Sequence, residues 1–308
     1  MSEGGGGFRD PKILLPFLLV TLIWGSTWIV IKDQLGAVPP VWSVSYRFLI
    51  AGAAMMIIAR ATGASLAIGA SGHVPAVVLG LLQFVLNYNL VYLAEQYITS
   101  GLAAVVFALL VVPNAALAWA FFGQRVSGRF ATGSAVAMAG VALLFVQEVR
   151  LSDVATGSIL AGLGFTLLAV LAASVSNVMQ LSKAMKARAV APVLGWAMLY
   201  GALIDAAVAW STAGPPVIEA RLGYWLGLLY LGLIASALAF WLYYGIIRRI
   251  GPAKAAYSGV LIPVIAMAIS TAAEDYRWSM LALGGGALAL AGLVIALRSS
   301  PAPPLPAD

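Results

Sequence analysis

The sequence predicts an all-α integral membrane protein: ten transmembrane helices forming two inverted five-helix repeats around a central cavity. Three observations carry that expectation. The first is composition. Of 308 residues, 62% are hydrophobic and only 9% charged, with a mean hydropathy of +1.00, whereas soluble domains are near one quarter charged. A soluble chain of this length exposes too much surface per residue to hide so much apolar side chain, so the bilayer must serve as solvent. The second is the spacing of polar punctuation, which cuts the chain into segments of spanning length. The third is a repeat of one helical hairpin in the two halves.

A hydrocarbon core about 30 Å thick needs about 20 apolar residues per helix, and backbone groups in lipid must be satisfied within the segment, so the segments are helices. Span 1 (13–31) opens after Lys12 and stops at Lys32. Span 2 (41–59) lies between Pro40 and Arg60, span 3 (74–94) between His73 and Glu95, and span 4 (102–122) between Gly101 and Gly123. Span 5 (130–147) runs from Arg129 to Glu148, span 6 (157–182) ends at Lys183, and span 7 (190–212) ends before Gly214, Pro215 and Pro216. Spans 8 (222–247), 9 (255–273) and 10 (278–297) are bounded by Arg221 and Arg248, Lys254 and Glu274, and Arg277 and Arg298. The division of the chain is then a cytoplasmic tail (1–12), a first repeat (13–150), a second repeat (151–298) and a C-terminal tail (299–308).

Lys and Arg in short loops set orientation. With the N-terminus cytoplasmic, twelve of the 17 fall inside; only Lys32, Arg150, Arg221 and Arg277 fall outside, and Arg47 lies within a span. Acids show the opposite bias, with Asp33, Glu95, Glu148, Asp153, Glu219, Glu274 and Asp275 outside. Both termini are therefore expected in the cytoplasm, in the bacterial inner (plasma) membrane. The net charge of +6 is spread between apolar segments without a basic groove, which sets nucleic acid aside as a partner. No cysteine and a single histidine, His73, leave no thiolate chemistry and no metal-ligand set, so no cofactor and no metal are expected. An intramembrane enzyme would have to pair His73 with a serine across the interface, an arrangement the sequence does not favour.

The repeat joins SGRFATGSAVAMAGVAL (127–143) to SMLALGGGALALAGLVI (279–295). A shift of 152 sets Gly133 on Gly285, Ala137 on Ala289 and Gly140 on Gly292, while Pro113 and Pro263 sit mid-span in the preceding helices. The hairpin loops carry opposite charge, Arg125 and Arg129 against Glu274 and Asp275. Five spans per half reverse the orientation, and the charges reverse with it. Inverted halves are characteristic of secondary transporters, whose substrate sites lie between the halves near the midplane. The small faces of spans 5 and 10 read as packing or dimer surfaces, not substrate walls.

Polar groups inside the spans are the functional candidates. An unpaired amide in hydrocarbon costs several kcal/mol, so such groups face partners or a wet cavity. In GLLQFVLNYNLVYLAEQY (80–97), Gln83 and Asn87 share a helical face and Tyr88 and Tyr92 form the adjacent strip. That flank reads either as the wall of a pathway or as interhelical glue. Trp24 and Thr27 in span 1, Asn114 beside Pro113 in span 4, Asn177 in span 6, Trp241 and Tyr244 in span 8 and Tyr257 in span 9 complete the set. Arg47, about 9 Å into span 2 at 1.5 Å per residue, reads as snorkelling to the outer interface, and Asp205 as an acid reaching outer water.

The stretches LIWGSTWIVIK (22–32), PPVWSVSYRFLIAGA (39–53), ALLVVPNAALAWAFFGQRVS (108–127), LYLGLIASALAFWLYYGIIRRIGPAKAA (229–256) and LIPVIAMAISTAAEDYRWS (261–279) resemble drug/metabolite transporters of the EamA type. The likeness spans nearly everything between the tails and is nearest to the bacterial aromatic amino acid exporters, also linked to methyl viologen efflux. It implies ten helices and a cavity lined mainly by spans 1, 3, 4, 6, 8 and 9. Two departures stand out. Gln124 replaces the Glu common after the hairpin Gly, and span 1 lacks the embedded Glu of the small multidrug exporters.

The expected function is alternating-access export of aromatic and other hydrophobic amino acids and similar small metabolites. Trp24 and Trp241 would enclose the side chain; Gln83, Asn87 and Asn177 would bind the zwitterion; Thr27, Tyr92, Asn114, Tyr244 and Tyr257 would complete the site. Pro113 and Pro263 would act as hinges, and transport would be facilitative, without proton coupling. Phosphorylated metabolites or nucleotide sugars are the alternative cargo, which would need clustered Lys or Arg at the midplane. The partners are thus a small-molecule substrate and the lipid bilayer, with the oligomeric state, monomer included, left open.

Overall fold

A computed structural model describes residues 10–123, 127–151, 156–250, 255, 258–274 and 278–297. Helix α1 (Pro11–Asp33) starts where Asp10 caps it, accepting from the Lys12 N–H at 2.9 Å, with proline at the first helical position. Helix α2 is Pro40–Ala61 and α3 is Ala70–Ala94, the latter interrupted by a π-helical stretch at Gly80–Asn87. Helix α4 (Ser100–Phe122) is capped by Thr99 and ends at Gly123, whose φ of +65° is the left-handed conformation glycine tolerates. The remaining long helices are α5 (Gly128–Leu151), α6 (Thr156–Met179), α7 (Val190–Ala213), α8 (Leu222–Ile250), α9 (Ser258–Ala273) and α10 (Met280–Leu297), with a single helical turn at Lys183–Lys186 between α6 and α7. A second π-helical stretch, Tyr230–Leu238, interrupts α8. No strand occurs among the described residues.

Among the described residues, eight helices, α1 to α8, are long and apolar enough to cross a membrane. The apolar parts of α9 and α10, Leu261–Ala273 and Met280–Ala296, are shorter. The expected ten spans are therefore not all reached by length. Large apolar side chains on the outer surface, among them Leu15, Ile57, Phe121 and Met280, are where lipid-facing residues belong.

Packing is symmetric. Helix α5 lies against α10 and α2 against α7; α1 meets α8 and α9 as α6 meets α3 and α4; α2 meets the π stretch of α8 as α7 meets that of α3. Advancing every helix number by five leaves this pattern of neighbours unchanged. The α5/α10 contact is the closest. A Cβ added at Gly140 would lie 2.3 Å from the Ala289 nitrogen, and one at Gly292 would lie 2.3 Å from the Ala137 nitrogen. Only glycine lets these backbones meet, so the small stripes of spans 5 and 10 pack on each other within the chain.

Two polar residues depart from expectation. Arg47 is 1% exposed: its Nε donates to Ser236 Oγ of α8 at 2.9 Å and its guanidinium lies 4.4 Å from the Tyr88 ring centroid. It does not snorkel, because α8 and α3 offer a hydroxyl and a ring face nearer than water. Asp205 is fully buried as well, with Oδ1 accepting from Asn89 Nδ2 at 2.7 Å. An amide on the neighbouring helix takes the place of outer water.

Candidate functional site

A cavity of about 140 Å³ lies between α1, α3, α4, α6, α8 and α9, close to the size that admits one benzene ring in an apolar core. Six aromatic residues stand in its walls: Trp24, Trp28, Tyr88, Phe107, Phe240 and Tyr243. Trp24 meets Tyr243 edge-on at 4.8 Å and Phe240 at 5.4 Å; Trp28 meets Phe107 at 5.6 Å. Such edge-to-face contacts fix rings while leaving their faces available. Trp24 is held by its indole N–H, which donates to the Ala235 carbonyl in the π stretch of α8 at 3.1 Å.

The polar lining groups come from five helices: Thr27 of α1, Gln83 and Asn87 of α3, Asn114 of α4, Asn177 of α6 and Ser258 of α9. Gln83 Nε2 donates to Asn87 Oδ1 at 3.4 Å, and Asn87 Nδ2 donates to the Ala169 carbonyl of α6 at 2.9 Å. Gln83 Oε1 and Asn114 Oδ1 are buried acceptors without a donor. Buried polar atoms in a protein interior are nearly always paired, so these two are open positions for a ligand's N–H groups. Thr27 returns its hydroxyl to the Trp24 carbonyl at 2.8 Å. No Lys, Arg, Asp or Glu is among the described lining residues.

Of the residues singled out from the sequence, Trp24, Thr27, Gln83, Asn87, Asn114 and Asn177 line this cavity together, as does Pro263 of α9. Asn87 serves both roles left open for it: it ties α3 to α6 and presents its amide to the cavity. The third amide of that stretch, Asn89, faces α7 and holds Asp205.

The others lie elsewhere. Tyr92 is fully buried outside the cavity, its hydroxyl donating to Gln34 Oε1 at 2.9 Å. Trp241 and Tyr244 lie beside the lining pair Phe240 and Tyr243 without lining the cavity themselves. A π turn adds a residue and re-phases every later side chain by about 100°, so Tyr230–Leu238 decides which rings of α8 face inward. Pro113 stands in the first turn of the α-helical part of α4 that follows a 3₁₀ turn at Ala108–Leu110, and both flank the cavity wall. Tyr257 lies outside the described residues.

Tyr88, part of the flank read as a pathway wall, does line the cavity, whereas sequence reasoning passes over Trp28, Phe107, Phe240 and Tyr243 as lining. Trp28 had a signal, four residues from Trp24. Phe107 and Phe240 had none, since apolar rings in an apolar helix look alike on every face.

A ring-bearing chamber with uncharged amides, enclosed by apolar helices of two exchangeable sets, defines a membrane transporter of two-repeat architecture. A solved crystal structure shares the fold over 92% of this chain and 95% of its own, with a TM-score of 0.70 and 20% identity. The model of the EamA-like transporter family matches residues 11–146 and 160–298, and the chain belongs to that family. Similar proteins include Protein PagO of Salmonella typhimurium (25% identical, covering 87% of this chain and 86% of PagO). The Probable amino-acid metabolite efflux pump of Escherichia coli is 26% identical over 90% and 92% of the two chains. The Uncharacterized inner membrane transporter YedA of Escherichia coli is 28% identical over 81% and 79%.

Proposed function

We propose that the protein exports aromatic and other hydrophobic amino acids, and similar small metabolites, across the bacterial inner membrane. The single observation that carries this reading is the cavity: ring-lined, amide-bearing and without a charged lining residue among those described. A net-neutral zwitterion with a flat side chain suits it. The ring would enter the box of Trp24, Trp28, Phe240 and Tyr243, and the ammonium would donate to Gln83 Oε1 and Asn114 Oδ1. The name of the Escherichia coli relative points to the same substrate class.

Ten spans, α9 and α10 included, in two inverted halves (13–150 and 151–298) with both termini cytoplasmic, would rock about the cavity. The exchange symmetry of the helix contacts supports this. Pro113 and Pro263 would bend α4 and α9 where their missing N–H groups weaken the ladder. Tyr257, one residue before lining Ser258, would join the site. With no acid on the described lining, substrate moves down its own gradient.

The test is reconstitution in liposomes with labelled phenylalanine and tryptophan. Flux above empty vesicles, competed by both and persisting when a pH gradient is collapsed, is expected. Flux equal to empty vesicles removes the substrate assignment, and flux abolished with the gradient removes the facilitative mechanism. Competition by sugar nucleotides would favour the phosphorylated alternative.

A further inference from the structure

At the end of the bundle where α1 finishes, one turn beyond the cavity, two carboxyl groups meet over a single hydroxyl. Lys32 follows Ile31, Glu95 lies one turn beyond Val91, and Ser100 lies one turn before Ala104; Ile31, Val91 and Ala104 are cavity lining. Ser100 Oγ is 3.0 Å from Glu95 Oε2 and 3.3 Å from Glu274 Oε1, and the Ser100 N–H reaches Glu274 Oε1 at 3.4 Å. Ser270 Oγ donates to Glu274 Oε2 at 2.5 Å. Lys32 Nζ donates to the backbone carbonyls of Glu95 and Ile98 instead of to a carboxylate. Glu95 has no exposed surface, and its Oε1 has no hydrogen-bond donor.

The hydrogens do not balance with both acids ionised. A serine hydroxyl carries one hydrogen, so Ser100 can donate to one carboxylate and must oppose the other lone pair to lone pair. One added proton removes the conflict: Glu95 O–H donates to Ser100 Oγ, and Ser100 O–H donates to Glu274.

We propose that Glu95, Ser100 and Glu274 form a proton-binding site that latches this end of the cavity, closure taking up one proton and opening releasing it. The charged groups facing Glu95 are Lys32 from α1, Glu274 at the end of α9 and Arg47 from α2. Burial outweighs the two cations and holds the Glu95 carboxyl well above its ordinary range. The proton returns to the side it came from, so it sets the rate of transport without being carried across. The inference concerns the closure and does not depend on which substrate the cavity takes.

The chain has no cysteine, so spin-label pairs can be placed cleanly. Labels at Gly36 and Gln96, both exposed, report the separation of α1 from the end of α3. In nanodiscs this distance is expected to lengthen as pH rises in the unmodified sequence and to stay short at every pH in Glu95→Gln. Infrared spectroscopy should show a protonated carboxyl at neutral pH that Glu95→Gln removes and Glu95→Asp restores at a shifted frequency. Ser100→Ala keeps both acids and should move the pH midpoint even if Glu95→Gln fails to fold. A protonated-carboxyl spectrum unchanged by Glu95→Gln, a distance indifferent to pH, a midpoint unmoved in Ser100→Ala, or a distance driven by sodium at fixed pH would each overturn the proposal.

Discussion

Asn87 and Asn89 sit two residues apart on α3, and replacing each by the nearly isosteric leucine should have opposite consequences. Asn87→Leu removes one interhelical hydrogen bond, to the Ala169 carbonyl. Such bonds within membranes contribute about 0.6 kcal/mol on average and at most about 1.7. The same change deprives a bound zwitterion of an amide partner, and a hydrogen bond to a charged group contributes about 1.5–3 kcal/mol. Phenylalanine should therefore bind about 10- to 150-fold more weakly, while the unfolding temperature moves little. Asn89→Leu instead strips the donor from buried Asp205, costing about 2–3 kcal/mol of stability without touching the cavity. Thermal unfolding in detergent and the concentration dependence of uptake into proteoliposomes separate the two effects. If Asn87→Leu melts as early as Asn89→Leu, or takes up phenylalanine with unchanged KM, the amide is structural and the binding argument fails.

Gly140→Ala should force α5 and α10 apart by about 1 Å, forfeiting a quarter to a half of their dispersion energy, roughly 2–4 kcal/mol for the contacts of one large side chain; unfolding in detergent reads this, and an unchanged melting point contradicts the contact geometry. Trp24→Ala should abolish discrimination between phenylalanine and leucine in competition assays, whereas Trp24→Phe retains it. Because folding raises the Glu95 pKa above its ordinary value of 4.5, the folded state binds the extra proton. Its contribution to stability is therefore full below about pH 4.5 and is lost as pH climbs toward the raised value, a decline that melting curves should show and Glu95→Gln should flatten. Asp33→Asn breaks the Arg221–Asp33 pair of 2.7 Å, but both side chains are solvent-exposed, so melting should not change measurably.

The membrane-length helices were legible because their signal is additive: about twenty apolar residues outweigh any single side chain. Gly133, Gly140, Gly285 and Gly292 were legible as a packing stripe for a similar reason, since spacing survives without knowing the partner. The cavity face was legible only where amides marked it, at Gln83, Asn87, Asn114 and Asn177. On α8 it was not, because the π stretch carries no composition of its own and moves the lining from Trp241 and Tyr244 to Phe240 and Tyr243. Arg47 and Asp205 were read toward water because depth is countable along one helix, whereas Ser236 and Asn89 lie far away in sequence. Glu95, counted only as an outside acid, revealed its place only when Ser100 and Glu274 met it in space.

The surplus residue in each π turn bears on which length changes the chain can accept. Deleting one residue from Gly80–Asn87 would swing Tyr88–Ala94 through about a hundred degrees, carrying Asn89 off Asp205 and Tyr92 off Gln34 in one stroke. Homologues should thus vary freely in loop length between Ala61 and Ala70, yet keep these two membrane stretches free of single-residue insertions and deletions.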